Sequence, residues 1–167
     1  MAGVQKSTFF FVEDLKKKGL YEPILLIPFK GPFSKLCEQN HIDYIIYKKN
    51  IFFSTSISVF NRILRFRILN PLAILWNFIS IIFQTFNFMK ILYQINPTVI
   101  VSKGLLTHFS AGFASKILGF HIIWHLQDYI SSKYFGIFKK TFEISGRFIP
   151  NKIIVDGEAI LDGFSEK

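Results

Sequence analysis

Residues 96–129, NPTVIVSKGLLTHFSAGFASKILGFHIIWHLQDY, contain a complete strand–helix–strand pattern. TVIVS (98–102) and HIIWH (121–125) are short, continuous apolar runs, which is typical of parallel strands that are covered on both faces. Between them, residues 105–118 predict a helix that ends at Gly119. The segment therefore predicts a β-α-β unit, from which parallel α/β sheets are built.

The same alternation continues on both sides of this unit. Three further apolar runs predict strands, at 23–28, 42–47 and 152–156. Helices are predicted at 4–18 and 32–40, at 133–148 with breaks at Gly136 and Gly146, and at 158–164. We predict an α/β fold: a Rossmann-like parallel sheet of about five strands flanked by helices, in one domain over residues 1–167.

The uncharged run from Ile68 to Met89 is long enough to span a bilayer. Asn70 is placed to cap a helix whose first residue is Pro71, and Pro97 limits that helix to about Ile95. One side of the helix carries polar residues at helical spacing, which disfavours a lone membrane span: Asn77, Ser80, Gln84, Asn87 and Gln94. We expect a helix packed on the sheet, with a wide apolar face that could also dock on a membrane surface.

Positive charge is concentrated in the middle of the chain. The formal net charge is +9, and no Asp or Glu lies between Asp43 and Asp128, a stretch with eight Lys or Arg residues. This field favours an anionic partner such as a membrane surface, a phosphate-bearing ligand or nucleic acid, although a generic basic surface has the same composition. Arg62, Arg65 and Arg67 are the densest group, and we predict that they face a membrane.

The remaining composition fits a cytoplasmic protein. The single Cys37 excludes an intrachain disulfide and is expected to be a small buried residue rather than a catalytic thiol. The N-terminal sequence lacks the pattern of a secretory signal. His121 and His125 are four residues apart in a strand without further ligands of the right kind nearby, so no metal site is predicted.

Four segments in this order resemble the N-terminal domain of the family 4 glycosyltransferases, a retaining class with the GT-B fold. They are AGVQKSTFFFVEDLKKKGL (2–20), similar to a glycine turn and first helix; PFKGPFSKLCEQNHIDYIIY (28–47); residues 96–129, similar to a P-D-V-V strand and a W-H-x-H-D strand end; and NKIIVDGEAILDGF (151–164). The resemblance implies one half of a GT-B enzyme, the half that binds the acceptor. It also implies that the family's first strand and its C-terminal donor-binding domain are absent from this chain.

The resemblance places the candidate site at the carboxyl ends of the strands, where open α/β sheets bind ligands. His125 is the candidate catalytic residue, because Gln127 occupies the position of the family's histidine. Ser102, Lys103, Gly104, Gln127 and Asp128 are candidate acceptor-binding residues, as is Gly3 in the glycine turn.

Each of these residues has a structural alternative. His125 could be a structural histidine and Lys103 a solvated loop lysine, Asp128 could cap a turn, and Gly3 could lie in a frayed end. His108 is expected to be a core histidine. Asp156 could cap the helix that follows it.

The sequence therefore predicts the acceptor-binding half of a retaining glycosyltransferase. A full enzyme would move a sugar from a nucleotide donor to a lipid-linked or polysaccharide acceptor, without another cofactor, and the isolated chain would be inactive. A donor-domain subunit and the anionic inner surface of the membrane are the expected partners. The alternative is a small basic membrane-associated scaffold protein without catalysis. Nucleic-acid binding is not expected, since no recognition motif is present.

Overall fold

The computed structural model describes residues 3–54, 56–60, 65–127 and 137–161. The chain divides into two compact units, Met1–Lys49 and Asn50–Lys167. Each unit has its own sheet and helices, and the two are described separately.

The first unit contains two helices and two parallel strands. Its elements are α1 (Gly3–Lys17), β1 (Ile24–Ile27), α2 (Pro32–Gln39) and β2 (Asp43–Ile46), with Ile24 opposite Asp43 in the β1–β2 register. Gly19 follows α1 with a φ of 64°, a left-handed conformation that is common just after a helix C-terminus. A small core forms where both helices turn their apolar residues inward, and it includes Phe9, Val12, Cys37 and Ile42.

The second unit is built on a three-stranded parallel sheet. Its described elements are β3 (Ser56–Phe60), β4 (Arg65–Leu69), α3 (Pro71–Ile95), β5 (Val99–Lys103), α4 (Leu105–Leu118), β6 (His121–Leu126), α5 (Ile137–Phe148), β7 (Lys152–Val155) and α6 (Glu158–Leu161). The strand order is β5-β6-β7, and β3 and β4 pair separately as an antiparallel hairpin. The carboxyl ends of β5, β6 and β7 consequently meet at one edge of the sheet.

An aromatic cluster joins α4 to the sheet. Trp124 on β6 is fully buried, with ring contacts to His108, Phe109 and Phe142. The close approach of α4 to the connection between α5 and β7 requires Gly112, because a Cβ there would lie 2.4 Å from Cγ2 of Ile149. The even-numbered residues of β6 are buried against this cluster, so its odd-numbered residues point to the opposite face.

Helix α3 begins and ends as the sequence predicts. The Asn70 side chain accepts a hydrogen bond from the Ala73 amide at 3.2 Å, Pro71 is the first helical residue, and Ile95 is the last. Its main neighbour is α4 rather than a sheet.

The polar side of α3 binds an extended segment, residues 50–53. Asn77 makes two hydrogen bonds of 2.9 Å to the backbone of Phe53, and Gln84 accepts one of 3.0 Å from the Asn50 amide. Ser80 and Trp76 both donate to the carbonyl of Ile51. Three residues of the predicted polar stripe thus hydrogen-bond to this segment, although Nε2 of Gln84 is buried without a partner among the described residues. We call residues 50–53 the strap.

The predicted α/β class is confirmed, and all five predicted parallel strands are present. They do not form one sheet: β1 pairs with β2, whereas β5 pairs with β6, and no strand in the described ranges pairs with both β1 and β5. The hairpin β3–β4 was not predicted. The expected break at Gly146 is wrong, because α5 continues through it, while Gly136 lies outside the described residues.

Candidate functional site

Three polar side chains meet at the carboxyl edge of the β5-β6-β7 sheet. His125 and Gln127 are two residues apart at the end of β6, and Asp156 directly follows β7. The Nε2 atom of His125 contacts Oδ1 of Asp156, and Nε2 of Gln127 donates to Oδ2 of the same carboxylate at 2.6 Å. His125 and Gln127 therefore point to the same side of the sheet, as expected from their spacing.

The backbone also holds Asp156 in place. Its amide donates to the carbonyl of Leu126 at 3.2 Å, which extends the parallel ladder between β6 and β7 by one residue. The expected helix cap is wrong for Asp156, because both carboxylate oxygens are engaged by β6 side chains. Gly157 precedes α6 instead.

Lys103 lies beside this group. It ends β5, and its Cα is the register partner of His125. Partial burial lowers the pKa of Lys103, an effect that the nearby Asp156 carboxylate opposes. The interpretation of Lys103 as a solvated loop lysine is thus not supported, since it is the last residue of the strand and half-buried.

The charge of Asp156 is stabilised by its neighbours. Burial alone would raise the pKa of this carboxyl, but hydrogen bonds from His125 and Gln127, together with the positive charges of His125 and Lys103, bring the pKa below its ordinary value. The group is therefore an ionised carboxylate at neutral pH, held between two possible cations and an amide.

Ser102 faces the other side of the sheet. Its hydroxyl is buried and lies 2.7 Å from Nδ1 of His108 on α4. Burial is the main reason that the pKa of His108 falls to about 3, with a smaller contribution from the charge of His125. His108 is a neutral core histidine, as predicted. Ser102 could contact an acceptor only by leaving this pair.

Gly104 connects the site to α4. Its φ of 90° is a conformation that residues with a Cβ rarely adopt, and it directly precedes the first residue of the helix. Gly3 has a different setting from the one expected, because it is the first residue of α1 in the other unit rather than part of a glycine turn.

Some predicted residues lie outside this description. Asp128 and Arg62 fall outside the described residues, and Arg65 and Arg67 are assigned to β4 by their backbone. Their roles in acceptor binding and membrane contact remain predictions. Within the described ranges, no group of three or more His, Cys, Asp or Glu side chains is placed to hold a metal ion.

The outer face of α3 is strongly apolar and exposed among the residues that the structure describes. By length and composition, α3 could cross a membrane, and only 28% of its most apolar window is buried within the protein. Its exposed large side chains include Leu72, Leu75, Phe78, Phe83, Phe86 and Tyr93. Such a face is larger than the scattered apolar residues of an ordinary soluble surface.

Asp156 was not predicted as a site residue, and only the register between β6 and β7 puts it in the site. Asp156 was assigned a local capping role because a residue before a short helix has that role by default. Its position opposite the end of β6 follows only from parallel pairing, which places Val155 beside Leu126.

We compared the chain with protein families, curated proteins and solved structures, and one of the solved structures has a similar fold. No protein-family model matches the sequence, and no curated protein matches it either. The chain is similar to the crystal structure of Acinetobacter baumannii MurG, a GT-B glycosyltransferase, with a TM-score of 0.58 and 16% sequence identity. The match covers 92% of this chain and 38% of the MurG chain. The chain therefore has a GT-B-like fold, that of a Rossmann-like half, and the match does not distinguish family 4 from other GT-B families.

Proposed function

We propose that the chain is the acceptor-binding half of a glycosyltransferase that moves a sugar from a nucleotide donor to a lipid-linked or polysaccharide acceptor. The observation that carries this proposal is the group formed by Lys103, His125, Gln127 and Asp156 at the carboxyl edge of a parallel sheet in a GT-B-like fold. Ligands of open α/β sheets bind at this edge. Imidazole, amide and carboxylate groups can all hydrogen-bond sugar hydroxyls.

The donor sugar nucleotide belongs to a second domain in this proposal. The chain spans 38% of the MurG chain, and a partner subunit that carries the donor-binding half would complete the enzyme. The retaining course of the transfer is supported by the resemblance to family 4. We expect the chain alone to be inactive, because the groups that stabilise the departing nucleotide phosphate would lie in the second domain.

The cytoplasmic leaflet is the proposed location of the complete enzyme. The exposed apolar side chains of α3 and the absence of acidic residues from 44 to 127 support peripheral binding to an anionic surface. Attachment there would bring a lipid-linked acceptor to the sheet edge by diffusion in the plane of the membrane.

Binding of a lipid-linked saccharide tests the proposal. The probe is a polyprenyl-diphosphate-linked monosaccharide in detergent micelles, titrated into the wild type and into His125→Ala, Gln127→Ala and His121→Ala. His121 is the matched control, because it is an exposed histidine at the opposite end of the same strand. We expect saturable binding that the first two substitutions weaken about tenfold, a loss that corresponds to one or two hydrogen bonds. Absence of binding, or equal binding by all four proteins, would contradict an acceptor site at this edge.

A membrane-associated scaffold without catalysis is the second candidate, and the exposed face of α3 favours it. Sedimentation with vesicles of anionic and of neutral lipids distinguishes the two. A scaffold would bind anionic vesicles, lose that binding when Arg62, Arg65 and Arg67 are neutralised, and show no specific affinity for the saccharide probe. Sugar transfer by the purified chain from any nucleotide donor would overturn the division into two halves.

A further inference from the structure

The contact between His125 and Asp156 determines which ring nitrogen of the histidine is available. Nε2 is the atom that meets the carboxylate, and Gln127 fixes the other carboxylate oxygen from the same strand. The amide of Asp156 is held by Leu126, so the carboxyl group is anchored through both its main chain and its side chain.

The carboxylate acts only as a hydrogen-bond acceptor. Its neighbours hold the pKa of Asp156 below the ordinary value, so it carries no proton at neutral pH. The proton shared with His125 must then reside on Nε2. In the neutral imidazole this leaves a lone pair on Nδ1.

We propose that Asp156 is a positioning residue: when His125 is neutral, Asp156 keeps it in the Nε2–H tautomer, so that Nδ1 is presented as an acceptor for a hydroxyl group of the saccharide. This inference rests on the proposed function, which supplies the hydroxyl-bearing ligand. Nδ1 has no hydrogen bond to the part of the chain that the structure describes, and the His125 side chain is 15% exposed. An ionised carboxylate partner is not required for a histidine that serves only in packing, so its presence favours a hydrogen-bonding role for His125.

The surrounding charged groups are compatible with this arrangement. Lys103 approaches from β5 as the register partner of His125, and the neutral His108 lies across the sheet on α4. Lys103 and Asp156 interact electrostatically, which favours the ionised form of the carboxylate. The charged groups on the neighbouring strand and helix therefore leave the proton on Nε2 of His125, between His125 and Asp156.

The tautomer can be measured without any ligand. Long-range ¹H–¹⁵N spectra of the full chain, recorded on the alkaline side where imidazole is neutral, distinguish a protonated Nε2 from a protonated Nδ1. We expect Nε2–H for His125 in the wild type. In Asp156→Asn the amide can donate as well as accept, so the preference should be lost or reversed. Gln127→Ala should retain Nε2–H, and His121 serves as an internal control in every spectrum.

Two results would overturn the proposal. One is an Nδ1–H tautomer in the wild type, which decides the matter even if Asp156→Asn fails to fold. The other is an unchanged tautomer in a folded Asp156→Asn protein. The polyprenyl-diphosphate-linked probe then tests the ligand: its binding should shift the Nδ1 resonance of His125 and weaken about tenfold in Asp156→Asn. The expected tautomer combined with a complete absence of probe binding would refute the proposed function and the ligand part of this inference, while the positioning role of Asp156 would stand.

Discussion

Acid should destabilise the second unit through His108. The folded protein holds this imidazole neutral, since burial lowers its pKa to about 3 from an ordinary 6.5. The unfolded chain takes up a proton below pH 6.5 and the folded chain does not. Stability is therefore complete above that pH and is lost progressively as the pH falls toward about 3.

The magnitude follows from the two pKa values. Each pH unit inside this window costs about 1.4 kcal/mol, so the loss between pH of about 7.5 and pH of about 5 is about 2 kcal/mol. This is a large part of the stability of an ordinary domain.

His108→Asn provides the matched control. The shorter amide side chain can occupy the place of Nδ1 and keep the hydrogen bond to Ser102, but it does not titrate. It also loses the stacking of the imidazole on Trp124, which changes stability by a constant amount at every pH. Groups elsewhere titrate in both proteins, so their contributions cancel in the difference between the two proteins.

Urea unfolding of both proteins, followed by the fluorescence of the buried Trp124 and the more exposed Trp76, measures the effect. The advantage of the wild type over His108→Asn should shrink by about 2 kcal/mol between the two pH values. A difference that stays constant with pH would refute the reasoning, because it would mean that His108 accepts a proton as easily in the folded state as in the unfolded chain.

Two further substitutions test the packing of the second unit. Gly112→Ala would place a methyl group 2.4 Å from Ile149 and should lower the free energy of unfolding by about 1–3 kcal/mol, whereas Gly157→Ala, with open space around its Cβ, should have little effect; equal urea midpoints would contradict the close approach. Asn77→Ala removes both hydrogen bonds to Phe53, so hydrogen exchange of the Phe53 amide should become at least about fivefold faster, as expected for the loss of about 1 kcal/mol; an unchanged exchange rate would show that the strap is held by other contacts.

Strands and helix ends were predictable because their signals are local. Continuous β-branched runs gave β5 and β6, while Asn70 and Gly119 marked helix boundaries through hydrogen bonding and left-handed geometry. The pairing of strands was not predictable in this way. It depends on contacts between distant residues, so the separation of β1 and β5 into different sheets and the hairpin β3–β4 had no comparable local signal.

The site was predictable in part for the same reason. His125, Gln127 and Lys103 follow directly from the rule that ligands bind at the carboxyl ends of parallel strands. Asp156 required knowledge of the β6–β7 register. Ser102 and Lys103 are neighbours in sequence, yet the alternation of a strand sends one into the core and the other toward the site.

The strap changes what α3 presents to its surroundings. The average hydropathy of the helix combines two unlike faces. On the inner face, Asn77, Ser80 and the side-chain oxygen of Gln84 form their hydrogen bonds with residues 50–53. The exposed face of α3 is therefore more hydrophobic than the mean hydropathy of the helix indicates. Polar side chains are costly beside hydrocarbon when they lack partners, and at Asn77 and Ser80 the backbone of residues 50–53 supplies those partners.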